Sequence, residues 1–261
     1  MDWQGLLRWS MQYADGTRPS EFKQMDEETK QWLKDALSSI VVDDNEIMQK
    51  GAKILSELEN GSPEECEQKE KAAELILQVI ENLDMAKNMV KLGHFKHIIK
   101  CMIGSQYQSV RKICASIFMS AVQNNPPVQE NALAEHALEG LCARINEETD
   151  LQLKEQYIAC ISGLVRGQYA DARDKFIQMK GLDIINLLLV SGESPRIVKK
   201  CLLMLSDIIY NTRSKGNEGP TNECLNLGIF DTLNYLMNSQ DSEIVEMTQW
   251  VLHNTETQCK N

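Results

Sequence analysis

Apolar residues recur at helical spacing along almost the whole chain. Val110, Ile113, Cys114, Ile117, Phe118, Ala121 and Val122 step by three and four, which predicts one apolar stripe on a helix. Ala72, Ile76, Val79, Ile80 and Leu83 follow the same rule, as do Leu153, Tyr157, Cys160, Ile161, Leu164 and Val165. A later run, Val198, Cys201, Leu202, Leu205, Ile208 and Ile209, repeats it again. No segment alternates with a period of two, so the pattern predicts an all-α chain without strands.

Punctuation supports the helices. Asp84 is placed to cap a helix that stops at Gly93. Pro126-Pro127 breaks the chain after Asn124-Asn125, and Gly167 can supply a left-handed residue after Arg166. Ser194-Pro195 opens another helix with Pro at its first position. The run from Asn211 to Glu223 reads as a loop, and Glu59 to Lys71 as an acidic, mobile connector.

The phrases LGHFKHIIKCM, EHALEGLCARI, KGLDIINLLLV and LGIFDTLNYLM are alike when aligned on Phe95, Ala137, Leu182 and Phe230. These anchors lie 42, 45 and 48 residues apart, and the helices that follow start near Val110, Leu153, Val198 and Val245. That period suits armadillo or HEAT units of two or three helices. One unit cannot bury its stripe alone, so stacking must bury it between neighbours. The expected fold is a right-handed superhelical solenoid of about four armadillo-like repeats, with capping helices at both ends and a concave face for an extended partner. In the second repeat, Glu135-His136 replaces the glycine found just before the other anchors, so an irregular turn is expected there.

Composition narrows the function. The 261 residues carry a net charge of −11, which disfavours nucleic acid and anionic membranes as partners. The eight cysteines are scattered with no C-x-x-C pair. The N-terminus MDWQGLLRWS lacks a secretory pattern, and no apolar run is long enough to span a bilayer. A reducing compartment, cytosolic or nuclear, is expected, and a cytoplasmic location is the leading reading. No phosphate-binding, nucleophile-elbow or zinc-protease motif is present, so neither an enzyme nor a cofactor is expected. His94, His97 and Cys101 share a helical spacing but lack a fourth ligand, so no metal is assigned. Trp250 and Asn254 form an isolated W-x-x-x-N. The equivalent pairs Ala115/Met119, Ala159/Gly163 and Leu203/Asp207 do not continue it, so Trp250 is read as partly buried packing.

Four segments in order resemble one family. Ala73-Glu74-Leu75 through Glu81-Asn82-Leu83-Asp84-Met85-Ala86 to Leu92-Gly93 resembles the first repeat of the armadillo-type nucleotide exchange factors of seventy-kilodalton heat-shock chaperones. Met25-Asp26-Glu27-Glu28 leading to Trp32-Leu33 and Ala36 resembles the helix before those repeats. Ile161-Ser162-Gly163-Leu164-Val165-Arg166 resembles a late repeat helix, and Leu6-Leu7-Arg8-Trp9-Ser10-Met11 the family's N-terminal segment. The resemblance implies a monomeric co-chaperone whose concave face wraps one lobe of the chaperone's ATPase domain and promotes ADP release. It implies an organisation of residues 1–20 as a release-type segment, 21–58 as a helical cap, 59–71 as the connector and 72–261 as the repeat domain.

It also implies site residues. Glu81, Asn82, Asp84 and Ala86 fall on the partner-facing surface, with the small Ala86 allowing close approach. Capping by Asp84 and Asn82 is the plainer reading of the same residues. Arg166 is either an anchor for a partner carboxylate or a helix-terminal charge worth about 0.3–1 kcal/mol. Leu6, Leu7, Trp9 and Met11 would mimic a chaperone client and assist its release. The competing reading is a generic armadillo scaffold or cargo adaptor that takes basic peptides, which the acidic charge would suit. A metal-dependent enzyme is the third.

Overall fold

The computed structural model describes residues 26–38, 44–166, 170–213, 224 and 226–256. Among these residues there are fourteen helices and no strand. The chain divides into two compact units, one ending at Asp44 and one beginning at Asn45. In the first, α1 spans Glu27–Ser38. Asp26 starts it: its carboxylate accepts from the Thr29 N–H at 2.8 Å and the Thr29 hydroxyl at 2.9 Å, and these bonds hold its pKa below the ordinary value.

The second unit is an α-solenoid. It contains α2 (Asp44–Ser56), α3 (Pro63–Ile80), α4 (Leu83–Lys91), α5 (Phe95–Gly104), α6 (Gln108–Val122), α7 (Pro126–Ala134) and α8 (Ala137–Glu147). It continues with α9 (Leu151–Val165), α10 (Ala170–Gln178), α11 (Gly181–Ser191), α12 (Pro195–Arg213), α13 (Ile229–Leu236) and α14 (Ser242–Glu256). From α4 onward three repeats read short helix, middle helix, long third helix, and of a fourth the middle helix α13 and the third helix α14 are described. The third helices pack in series, α3 on α6, α6 on α9, α9 on α12 and α12 on α14. Their inward stripes form one continuous core that includes Ile76, Cys114, Phe118, Tyr157, Leu164 and Leu205. Phe95 and Phe118 stack with ring centroids 5.5 Å apart, and the buried Tyr157 hydroxyl donates to Met102 O at 2.8 Å.

Each repeat turns into its middle helix through one left-handed residue: Gly93, His136, Lys180 and Gly228, with φ of +71°, +57°, +60° and +68°. The second repeat therefore keeps the turn, and His136 itself adopts the conformation that glycine supplies elsewhere. This phase corrects the alignment of that repeat by one residue. Leu138, fully buried, is the counterpart of Phe95 and Leu182, and Ala137 precedes it.

Three further expectations change. The stretch from Glu59 to Lys71 is not a connector, because most of it is the first half of α3. Pro63 sits in the first turn, and Ser62 caps the helix by accepting from the Glu65 N–H at 3.2 Å. Glu59 accepts from the Ser105 hydroxyl at 2.6 Å and the Gln106 N–H at 2.8 Å, so even the residues before the helix are tied down. The cap of α4 is Asn82, whose Oδ1 accepts from the Asp84 N–H at 3.0 Å; Asp84 lies inside the first turn. Asn211 belongs to α12, which runs to Arg213, and most of the expected loop after it lies outside the described residues, as does Gly167. No helix among the described residues is long and apolar enough to cross a membrane.

Candidate partner-binding groove

The third helices carry their apolar stripes inward and leave a second, narrower row of side chains facing out. On α6, α9 and α12 that row lines a groove of about 460 Å³. Its floor is Met119, Ala159 and Leu203, and its polar side holds Arg166, Lys200 and Asp207. Met119 and Leu203 are 36% and 43% exposed, although both lie on helices that are otherwise core. Close approach of α6 and α9 is set by Gly163, where an added Cβ would lie 3.1 Å from Val122 Cγ2. Gln129, buried on α7, bridges the same two helices: its Nε2 donates to Val122 O at 2.9 Å and to Gly163 O at 3.0 Å. Carbonyls near the helix C-termini are thereby satisfied without water.

One edge of this stack is built from helix C-termini. Glu81, Gln123 and Arg166 are the C-cap residues of α3, α6 and α9, equivalent positions in successive repeats. Two of the residues singled out in the sequence thus occupy the same rim. Arg166 lines the groove, and its guanidinium donates from Nε to the Asp207 carboxylate on α12. Glu81, Asn82 and Asp84 are exposed at the α3–α4 turn, beside a half-exposed Leu83, and Asp84 pairs with Lys87 at 3.3 Å.

Ala86 does not join them. It is 1% exposed and packed in the core with Met89, because the two residues, three apart, share the inward face of the nine-residue α4. Its assignment to a partner-facing surface is corrected on that ground. Leu6, Leu7, Trp9 and Met11 lie outside the described residues. Among the described residues no group of three or more His, Cys, Asp or Glu is placed to hold a metal. The Cys101 thiol donates to Leu55 O at 3.2 Å instead. Burial, with Lys96 next, lowers the His97 pKa. Trp250 is 49% exposed, and the fully buried Ala115 shows why no ladder of outward pairs runs along the third helices. Sequence reasoning missed Met119, Gln123 and Asp207; stepping one repeat period from Glu81 or Arg166 reaches Gln123.

Comparison with known families decides the relationship. The model of the SIL1/FES1/HPBP1 C-terminal domain matches residues 85–224, and that of the nucleotide exchange factor Fes1 matches residues 3–89. This chain belongs to the SIL1/FES1/HPBP1 family. It is 24% identical to the Hsp70 nucleotide exchange factor FES1 of Saccharomyces cerevisiae over 266 aligned residues, covering 95% of this chain and 89% of that protein. It is 23% identical to human Hsp70-binding protein 1 over 222 residues, covering 82% of this chain and 62% of that one. Among solved structures it is similar to a designed armadillo repeat protein in complex with a (KR)4 peptide. The TM-score is 0.66 at 16% identity, over 97% of this chain and 92% of that chain, a likeness of fold alone. Family membership and the helical repeat architecture agree.

Proposed function

We propose that this family member is a nucleotide exchange factor for an Hsp70 chaperone, acting as a cytosolic co-chaperone with no chemical step of its own. The observation that carries the proposal is the paired family match, residues 3–89 and 85–224, on a chain aligned nearly end to end with an exchange factor. The physics is linkage. A protein that binds the open form of an ATPase domain more tightly than its ADP-filled, closed form must weaken the domain's hold on ADP, and ADP must in turn weaken its binding. The groove supplies the surface: an apolar floor of Met119 and Leu203 with Arg166 at its edge. An exposed arginine beside buried contacts is a common interface anchor. Glu81, Asn82 and Asp84 extend the rim, and an interface of about 1,600 Å² or more is expected for a surface that wraps its partner. The N-terminal segment with Leu6, Leu7, Trp9 and Met11 acts separately, by competing for the chaperone's client site.

The test is stopped-flow release of a fluorescent ADP from the ATPase domain of an Hsp70, with and without this protein. Acceleration is expected; an unchanged off-rate overturns the proposal. Removing residues 1–20 should spare ADP release and slow client discharge. Equal loss of both would remove the division of labour. If a lysine- and arginine-rich peptide binds tightly while the ATPase domain does not, the cargo-adaptor reading takes its place.

A further inference from the structure

From Met85 to Gln129 the chain carries six lysines and arginines and no aspartate or glutamate, although its net charge is −11. That run covers α4, α5 and α6, so the first repeat is a basic island in an acidic solenoid. A cavity of about 480 Å³ opens at its edge, between α2 and the start of α5. Lys50 and Lys53 line it from α2, and His94 and His97 line it from α5. Glu46 is the one acidic lining residue among those described, and it already pairs with Lys50 at 2.6 Å. The walls are anchored in the core. One turn beyond His97, Cys101 donates its S–H to Leu55 O at 3.2 Å and ties α5 to α2. Gly51 seats α2 on α3, where an added Cβ would lie 2.8 Å from Ile76 Cδ1.

The entry to α5 is the least satisfied point of this arrangement. A helix N-terminus carries a partial positive charge and favours anions. The preceding helix, α4, meets that demand with the Asn82 cap and with Asp84 in its first turn. At α5 the N-cap His94 makes no side-chain cap bond, and the first turn holds no acid. Lys96 and His97 stand there instead, two basic residues at the positive end of the helix. Burial first, then Lys96, His94 and Lys100, lower the His97 pKa, and only Glu135, at the end of α7, opposes them. Lys50 and Lys53 add their charge from α2, against the single carboxylate of Glu46. Folding has gathered like charges around a hollow, and an anion entering the hollow would relieve their repulsion.

We propose that this cavity docks a short acidic peptide segment of a partner protein, its carboxylates held by Lys53, His97 and the N-terminus of α5. The shape and charge select that occupant. The basic groups come from two helices across a space larger than one carboxylate, which suits acidic side chains in succession. Among the described residues no arginine lines the cavity, so the two-pronged donor that favours phosphate is missing. A long polyanion such as nucleic acid would be repelled by the rest of a −11 chain. A short peptide would not, because salt screens charges beyond about 8–10 Å and leaves it the local island. None of the lining residues belongs to the groove on α6, α9 and α12, so this docking is separate from the exchange reading.

The experiment titrates the full-length protein into a fluorescein-labelled, glutamate-rich peptide and into the same peptide with glutamine for every glutamate, and reads polarisation. Binding of the glutamate peptide alone is expected, weaker as salt is added. It should tighten as pH falls from about 8 to about 6, because a bound carboxylate favours the protonated form of His97 and His94. Lys53→Glu should lower the affinity at least about tenfold, whereas Lys180→Glu, the same charge change two repeats away, should alter it less than about twofold. Melting curves establish that the variants fold. If Lys53→Glu does not, amide shifts of the wild-type protein decide: peptide addition must move residues 46–56 and 94–100. Failure of the glutamate peptide to bind, equal loss in Lys180→Glu, or shifts confined to other helices overturns the proposal. Binding of a phosphoserine peptide in place of the glutamate peptide overturns it too, and makes the cavity a phosphate site.

Discussion

The Arg166 guanidinium is bound to the Asp207 carboxylate, which ties the C-cap residue of α9 to the side of α12 across the groove. The pair is open to water, with side chains 41% and 30% exposed. Exposed ion pairs contribute only about 0.2–1 kcal/mol, so Arg166→Ala should leave the melting temperature nearly unchanged. As an interface anchor the same residue is worth more, and affinity for the chaperone's ATPase domain should fall at least about tenfold. Thermal melts and a binding titration separate the two effects. A variant that binds normally takes Arg166 out of the interface.

Ala86 makes the opposite prediction. It is closed in the core of the first repeat, 1% exposed. Ala86→Arg must overfill that space and bury a charge, at a cost of about 3 kcal/mol or more. Exchange activity and the melting transition should be lost together. Asp84→Arg, on a side chain 81% exposed, should keep the wild-type melt and report on the binding face alone. If the Ala86→Arg protein melts like wild type, the packing around α4 has been misassigned.

The solenoid was legible because its third helices repeat one apolar stripe, and a stripe needs only spacing to be seen. Residues Glu59–Lys71 were not, because charge hides their inward face. Lys69 is buried there, and three oxygens of Leu55, Glu57 and Glu59 compensate its ammonium. Spacing alone does not show such compensation. The rim was half legible: Glu81 and Arg166 carry a family likeness, whereas Asp207 is recruited only because packing brings α12 beside α9. Ala86 illustrates a third limit, since a small residue suits a close interface and a tight core equally well.

Lys180 and Gly181 stand side by side and should respond in opposite directions. Lys180 holds φ of +60° at the entry to α11, a conformation that costs a side-chain-bearing residue roughly 1–2 kcal/mol. Part of that is offset by the greater freedom glycine gives the unfolded chain, so Lys180→Gly should stabilise by about 0.5–1 kcal/mol. At Gly181 a Cβ would sit 2.4 Å from the Phe176 ring, and Phe176 is fully buried. Gly181→Ala should therefore destabilise by about 1–3 kcal/mol. Chemical denaturation of both variants checks the pair of signs, and a destabilised Lys180→Gly would contradict the strain at this turn.

Acid should weaken the solenoid through its helix caps. Asp150 caps α9 by accepting from the Leu153 N–H at 2.8 Å, and it pairs with Lys112 on α6 at 3.1 Å. The Leu153 bond first, and Lys112 after it, hold the Asp150 pKa below its ordinary 3.8 despite partial burial. The unfolded chain therefore takes up this proton at higher pH than the folded one. Stability from Asp150 is complete above the unfolded value and disappears as pH falls through the depressed folded value. Asp241 behaves alike: its bond with Lys199, helped by the Ile244 and Glu243 N–H groups, lowers its pKa at the start of α14. Asp150→Asn keeps an amide able to cap but has no proton to gain. It should be less stable than wild type at neutral pH and should lose less stability between about pH 5 and pH 3. Urea midpoints measured across that range would show the two curves converging in acid; parallel curves would mean that Asp150 contributes as a cap alone and its charge does not matter.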